Sequence, residues 1–70
     1  MVDSIYRVTE VIGTSTESWE DATKRAVETA ARTLRDLRVG EVVKLDVTID
    51  EGHVTHYRAR INISFKYEAE

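Results

Sequence analysis

The fold is decided by two stretches, VKLDVTID at residues 43–50 and HYRARINISF at residues 56–65. Apolar and polar side chains alternate strictly in both, and a period of two is typical of a β-strand with one buried face. We predict strands over residues 41–50 and 54–67. The short connection between them predicts an antiparallel hairpin.

The register of this hairpin follows if both apolar faces lie on the same side of the sheet. A two-residue turn would set Val47 opposite His56, an apolar residue against a polar one. A three-residue loop over residues 51–53 sets Val47 opposite Tyr57, so we predict that loop, with Gly52 at positive φ. On the polar face this register pairs Thr48 with His56, Asp46 with Arg58, and Lys44 with Arg60.

A strand and a helix precede the hairpin. Residues 5–12 are rich in β-branched and aromatic side chains and predict a strand. Ser18 stands three residues before Asp21, the spacing of a capping box at a helix start. Side chains of one helical stripe follow at Trp19, Ala22, Ala26, Ala30, Thr33, Leu34 and Leu37. The stripe predicts a helix from Trp19 to about Leu37, ~28 Å long.

The predicted fold is therefore α+β, in the order β-α-β-β. A helical crossover leaves the first two strands parallel, and the third strand fits between them, antiparallel to both. We expect a three-stranded antiparallel sheet packed on one long helix, with a polar, uncovered face on its other side. A chain of 70 residues without cysteine builds a marginal core and has no disulfide, so we expect self-association.

Composition excludes several classes of function. The chain has 10 Lys and Arg against 13 Asp and Glu, a net charge of -3, whereas nucleic-acid binding needs a concentrated basic face. No window approaches the ~20 apolar residues of a membrane span, and the first residues do not resemble a secretory signal. We expect a cytoplasmic protein whose partners include neither nucleic acid nor a membrane.

Catalysis has little support, because the sequence holds no nucleophile motif and no phosphate-cradling glycine loop. The catalytic alternative is an acid–base pair of His56 and Asp46, and we expect no enzyme. Gly13-Thr14-Ser15 offers two interpretations, an anion site at the helix N-terminus or simply a capped turn.

Metal ligation stays open at this stage. His53 and His56 would need further ligands in convergent geometry to hold a metal. Carboxylates available to a hard cation such as calcium are Asp36, Glu41, Asp46, Asp50 and Glu51. The metal ligands themselves are unknown.

Five stretches together resemble the dodecins, small β-α-β-β proteins that assemble into hollow spherical homododecamers. They are Tyr6-Arg7-Val8, Val11-Ile12-Gly13-Thr14-Ser15, Ser18-Trp19-Glu20-Asp21-Ala22, Thr33-Leu34-Arg35-Asp36-Leu37 and Ile63-Ser64-Phe65. The resemblance covers nearly the whole chain, so it implies that residues 1–70 form a single dodecin-like domain. It also implies that the partner is the chain itself, as a homododecamer.

The resemblance implies a ligand as well. Most familiar dodecins bind flavins between stacked tryptophans, and a glutamine of the last strand forms a hydrogen bond with the flavin ring. Here Val39 stands at the tryptophan position and Arg58 at the glutamine position. Valine has no π-face, and arginine cannot accept a hydrogen bond from the flavin imide. The stretch Leu37-Arg38-Val39 is similar to the calcium dodecin branch, which lacks that tryptophan.

We take Val39, Asp46 and Arg58 as the candidate ligand-binding residues. The expected function is a non-catalytic ligand-binding or storage shell with weak or absent flavin affinity and with calcium as a further candidate ligand. The alternative is a store for FMN or riboflavin whose pocket is rebuilt around Arg58 and Val39, since an arginine can pair with a phosphate or stack on a ring.

Overall fold

The protein is described by a computed structural model, in which residues 5–66 are placed. Within them the sheet has the strand order β1-β3-β2, and both neighbouring pairs are antiparallel. This confirms the predicted β-α-β-β order and the central position of the last strand. The elements are β1 (Tyr6–Ser15), α1 (Trp19–Ala30), β2 (Leu37–Asp50) and β3 (His53–Lys66). Tyr67, the predicted end of the last strand, lies outside the described residues.

The helix begins where the sequence predicts and ends much earlier. Ser18 is the N-cap, and its side chain accepts a hydrogen bond from the backbone N–H of Asp21. The helix stops at Ala30 rather than near Leu37, so its twelve residues span about 18 Å. The prediction was wrong because Leu37 opens β2 and packs against the core, after Asp36 has turned the chain at a φ of 57°. Packing of Leu37 in the sheet outweighs its fit to the helical stripe.

The hairpin has the predicted register but not the predicted loop. Asp50 pairs with His53 across a two-residue turn, whose central residues Glu51 and Gly52 both have positive φ, 49° and 79°, as type I′ turns require. Thr55 is then an extra residue in β3, so the register shifts and Thr48 pairs with His56.

Side-chain contacts hold this bulge in place. The hydroxyls of Thr55 and Thr48 lie 2.6 Å apart, and the Thr55 hydroxyl also donates to the Thr48 carbonyl oxygen at 3.3 Å. A β-bulge inserts one residue into one strand only. It therefore gives the same facing pairs that a three-residue loop would give, including Val47 opposite Tyr57.

The core is small and lies between α1 and the centre of the sheet. Its fully buried side chains are Ala22, Ala59, Ile61 and Ile63. Gly13 on β1 lets the helix approach closely, because a Cβ there would stand 2.3 Å from the Ala22 carbonyl oxygen. Such a distance is impossible without a shift of the helix, so the glycine is a packing requirement.

The helix packs mainly on β1 and β3 and leaves β2 largely uncovered. The apolar side chains that alternate along β2 were expected to be buried. They are exposed instead, with Leu45 48% and Ile49 68% accessible. The predicted half-buried strand is therefore not buried within one chain. No helix in residues 5–66 combines the length and the apolar character needed to cross a membrane.

Candidate functional site

The sheet has one face under the helix and one open face. Residues that face each other across paired strands share a face, and the buried Ala59, Ile61 and Ile63 of β3 mark the helix side. We call the opposite side the open face. It is lined on β3 by His56, Arg58, Arg60, Asn62 and Ser64, on β1 by Val8, Glu10, Ile12 and Thr14, and on β2 by Val39, Glu41, Lys44, Asp46 and Thr48.

Asp46 and Arg58 form a two-pronged ion pair on the open face, as their predicted pairing indicates. The Arg58 Nε donates to Asp46 Oδ1 at 2.8 Å, and Arg58 Nη2 donates to Asp46 Oδ2 at 3.1 Å. The hydrogen bond from Arg58 lowers the pKa of the Asp46 carboxyl, and the positive charges of Lys44 and Arg60 lower it further. The same bond raises the pKa of the Arg58 guanidinium, so both groups are charged near neutral pH.

Val39 lies on the open face but far from this ion pair. It is 61% exposed and stands opposite Ser64, whose hydroxyl donates to the Val39 carbonyl oxygen at 3.4 Å. Ser64 and Arg58 are six positions apart on β3, which corresponds to about 20 Å along the strand. One chain therefore brings Asp46 and Arg58 together and does not bring Val39 to them.

Lys44 and Arg60 lie directly opposite each other on β2 and β3. We call residues that face each other across the strands a row; the row on one side of this pair contains Glu41, and the row on the other side contains the Asp46–Arg58 ion pair. The Nε atom of Arg60 is buried and has no hydrogen-bond partner among residues 5–66. The predicted register already paired these two cations, but sequence reasoning assigned them no role. The signal that could have found them is two like charges facing each other across strands, an arrangement that is destabilising without an anion nearby.

Trp19 is a packing residue on the helix side, in agreement with its predicted place in the helical stripe. Its indole Nε1 donates to the Asp46 carbonyl oxygen at 3.0 Å. Its ring meets Tyr57 edge to face, with centroids 5.2 Å apart and planes at 74°. Trp19 therefore anchors the first turn of α1 to the sheet and does not contribute a stacking surface to the open face.

The contacts in the turn after β1 favour a capped turn over an anion site, the two interpretations of Gly13-Thr14-Ser15. Ser15 is buried, with 6% of the residue exposed. Its hydroxyl accepts from the backbone N–H of Glu17 at 2.9 Å and donates to the Asp21 carboxylate at 2.6 Å. That bond, and then the bond from Arg25, lower the pKa of Asp21. Because the Asp21 carboxylate already supplies a negative charge at this helix start, the turn is a capped structural turn.

Within residues 5–66, the histidines and acids of one chain do not form a metal site. His53 stands opposite Asp50 at the hairpin turn, and the His56 Nδ1 lies 3.4 Å from the Thr48 hydroxyl. Across the described part of the chain, no three His, Asp or Glu side chains are grouped so that they could hold a metal ion. His56 has Thr48 as its polar contact and Asp46 has Arg58, so the acid–base pair of the catalytic alternative is not assembled.

Comparison with known proteins identifies relatives over almost the full length. The dodecin family model matches residues 5–68. The calcium dodecin of Mycobacterium tuberculosis is 40% identical over 63 residues, 90% of this chain and 89% of that protein. A dodecin of Thermus thermophilus is 36% identical over 64 residues, 91% of this chain and 93% of that protein.

Solved structures agree with these matches. A dodecin from Streptomyces coelicolor superposes with a TM-score of 0.91 at 37% identity, and the match covers 100% of both chains. The calcium chelating antigen of Mycobacterium tuberculosis, a calcium dodecin, superposes with a TM-score of 0.82 at 38% identity over 96% of each chain. The relatives thus include a calcium dodecin.

Proposed function

The chain belongs to the dodecin family, and from this premise we propose that it forms a hollow homododecameric shell that binds a small ligand and has weak or absent affinity for flavins. The family is not catalytic, so the prediction that this chain is not an enzyme is confirmed. The observation that carries the proposal is the open face, where Val39 is exposed and Arg58 is held by Asp46; the resemblance to dodecins implies a stacking tryptophan at the position of Val39.

Each of these residues removes one contact that a flavin ring needs. Val39 offers methyl groups and no π-face, so it cannot form the offset stack that aromatic rings prefer. Arg58 has only N–H donors, whereas the flavin imide N–H needs an acceptor. Two of those donors are already bonded to Asp46. Because one chain holds Val39 and Arg58 about 20 Å apart, one flavin would meet them from two subunits of the proposed shell, and it would lose both its stacking and its ring hydrogen bond there.

Titration of the purified protein with riboflavin, followed by quenching of flavin fluorescence, tests this proposal. We expect quenching that stays weak and does not saturate at one flavin per subunit. Tight quenching that saturates at that ratio would contradict weak flavin affinity. It would instead support the alternative, a flavin store with a pocket rebuilt around Arg58 and Val39, as would a yellow colour of the protein isolated from its expression host.

Assembly is supported by the apolar surface that a single chain leaves exposed. Large hydrophobic side chains that are more than one-third accessible occur on all three strands; among them are Val8, Ile12, Val43, Leu45, Ile49 and Val54. They lie on both faces of the sheet, since Val8 and Ile12 line the open face and Leu45 pairs with the buried Ala59; exposed apolar patches are typical of interaction sites in soluble proteins. Further copies of this chain are the proposed occupants, because dodecins are homo-oligomers and the buried core of one chain is small.

A second candidate function, binding of divalent cations, is favoured by the 40% identity to a calcium dodecin. Residues 5–66 of one chain contain no grouped ligand set, and we propose that the site takes carboxylates from more than one subunit. Isothermal titration of the protein with calcium tests the idea. Saturable heat that a chelator reverses would support it, and the absence of heat above buffer would contradict it.

A further inference from the structure

We propose that Lys44 and Arg60 form an anion site on the open face, and that this site takes the phosphate group of a small molecule. The inference rests on the proposed function, since it names the chemical class of ligand that the shell would bind. It places the ligand at a position that neither Val39 nor the Asp46–Arg58 ion pair occupies.

The two cations face each other across the paired strands β2 and β3. Side chains at directly opposite positions have Cβ atoms about 4.5–5.5 Å apart, and like charges there repel each other. On the far side of Arg60 stands Ile12, which contributes no charge. The row therefore carries two positive charges and no carboxylate, in a chain whose net charge is -3.

The carboxylates of the neighbouring rows form no ion pair with these two cations within residues 5–66, although Lys44 and Arg60 stand close enough to Asp46 to lower its pKa. Asp46, in the row on one side, is engaged by both prongs of Arg58. Glu41 and Glu10 flank Asn62 in the row on the other side. Among residues 5–66, no ion pair joins either glutamate to Lys44 or Arg60.

The Arg60 side chain, which is half-buried, contains a donor without an acceptor among residues 5–66. Its Nε is buried and has no partner within the described residues, although a buried unsatisfied donor costs about 1–3 kcal/mol and more when it is charged. An oxyanion bound between the strands would accept from Arg60 and from the Lys44 ammonium together. The same anion would relieve the repulsion between the two cations.

The charge of the site favours phosphate over a single carboxylate. A phosphate ester carries about -1.5 to -2 charges near neutral pH and presents three strong acceptor oxygens. It therefore matches two facing cations, one of which can bond in the forked geometry that arginine forms with phosphate. A lone carboxylate would leave one of the two positive charges without a partner.

Isothermal titration with inorganic phosphate, at constant ionic strength against sodium chloride, is the experiment. We expect saturable binding to the parent protein, and weaker binding when acetate replaces phosphate. Lys44→Gln and Arg60→Gln should each lower phosphate affinity by about tenfold or more, the loss that accompanies one charge-assisted hydrogen bond. Lys24→Gln, which removes one positive charge from an exposed position of the helix, is the matched control and should bind as the parent does.

Three results would overturn the inference. They are no phosphate binding to the parent, equal loss in the Lys24→Gln control, or unchanged binding in both site variants. Thermal unfolding without phosphate is the second readout, and it should show that both site variants still fold, so that a loss of phosphate binding is not a loss of structure. Native mass spectrometry on the same samples separates this inference from the proposed function: an intact shell that ignores phosphate contradicts only the anion site, whereas separate single chains contradict the shell.

Discussion

The indole Nε1 of Trp19 donates a hydrogen bond to the backbone oxygen of Asp46, 3.0 Å away, and so fixes the first turn of the helix to the middle of β2. The Asp46 side chain meanwhile holds Arg58 on the opposite face of the sheet. One residue thus connects the helix side with the open face. This contact matters because the helix touches β2 at few other places.

Replacing Trp19 with Phe should therefore destabilise the protein without emptying the space under the helix. The variant keeps an aromatic ring against Tyr57 and loses the donor to the Asp46 oxygen, a loss of about 1 kcal/mol for one hydrogen bond. Urea unfolding followed by circular dichroism measures it. Tyr57→Phe is the control and should unfold like the parent. Equal stability of the Trp19 variant and the parent would show that the bond contributes nothing.

Gly13 makes a stronger prediction about the contact between helix and sheet. In Gly13→Ala the new methyl would meet the Ala22 carbonyl oxygen at 2.3 Å and the Ala26 Cβ at 2.8 Å, so the helix must move away. We expect a loss of about 1–3 kcal/mol in the free energy of unfolding. Gly40→Ala is the matched control, because its added methyl would meet ordinary contacts at 3.5 Å and 3.7 Å. A Gly13 variant as stable as the Gly40 variant would contradict this packing.

The Asp46–Arg58 ion pair predicts a pH dependence of stability. Hydrogen bonding to Arg58 lowers the folded-state pKa of Asp46, so the pair stabilises the fold above the unfolded-state value of about 3.9. That contribution disappears as the pH falls through the lowered pKa of the folded state. In Asp46→Asn the Tm should be lower than that of the parent at pH 7, and the difference should shrink at acid pH.

Thermal unfolding between about pH 7 and pH 2, at one fixed protein concentration, measures this difference. Asp50→Asn is the control, since Asp50 is exposed beside the hairpin turn and has no ion pair within residues 5–66. Its curve should run parallel to that of the parent. A difference between Asp46→Asn and the parent that stays constant down to the lowest pH would contradict the assignment.

Val39 predicts that flavin affinity can be restored in part. Val39→Trp supplies the missing π-face on the open face, and stacking on an aromatic side chain contributes about 1–3 kcal/mol for a nucleobase-sized ring. Riboflavin affinity should rise by about fivefold to about 150-fold, measured by fluorescence quenching. Val39→Leu, which enlarges the side chain without an aromatic ring, should bind as the parent does. A parent that already binds tightly, with little change on adding tryptophan, would favour the rebuilt flavin pocket.

The hairpin shows which structural features the sequence pattern predicts and which it does not. Alternation of apolar residues correctly predicted that Val47 faces Tyr57 and that Asp46 faces Arg58, because one buried face permits only one register. It did not predict the two-residue turn. A tight turn and a bulge at Thr55 give the same facing pairs as a longer loop, and the choice between them depends on backbone dihedrals that alternation does not record.

Other differences come from contacts that are remote in the sequence. The position of Leu37 fits both a helical stripe and a strand. It begins β2 and packs against the core because Asp36 turns the chain just before it. Leu45 alternates as a buried residue does, yet it stays 48% exposed in one chain. The same pattern is expected for a strand that is buried by a neighbouring subunit, since alternation indicates a covered face and not what covers it. That the Arg60 Nε is buried without a partner in residues 5–66 depends on the packing around it, which sequence alone does not give.

Assembly is the central claim, because the exposed apolar strands and the small core have a common explanation only if copies of the chain close around each other. Native mass spectrometry at micromolar protein concentration tests it most directly. We predict a single particle of twelve chains, about 96 kDa from a chain mass of 8.0 kDa. A folded particle of 8.0 kDa that persists alone under the same conditions would contradict the account.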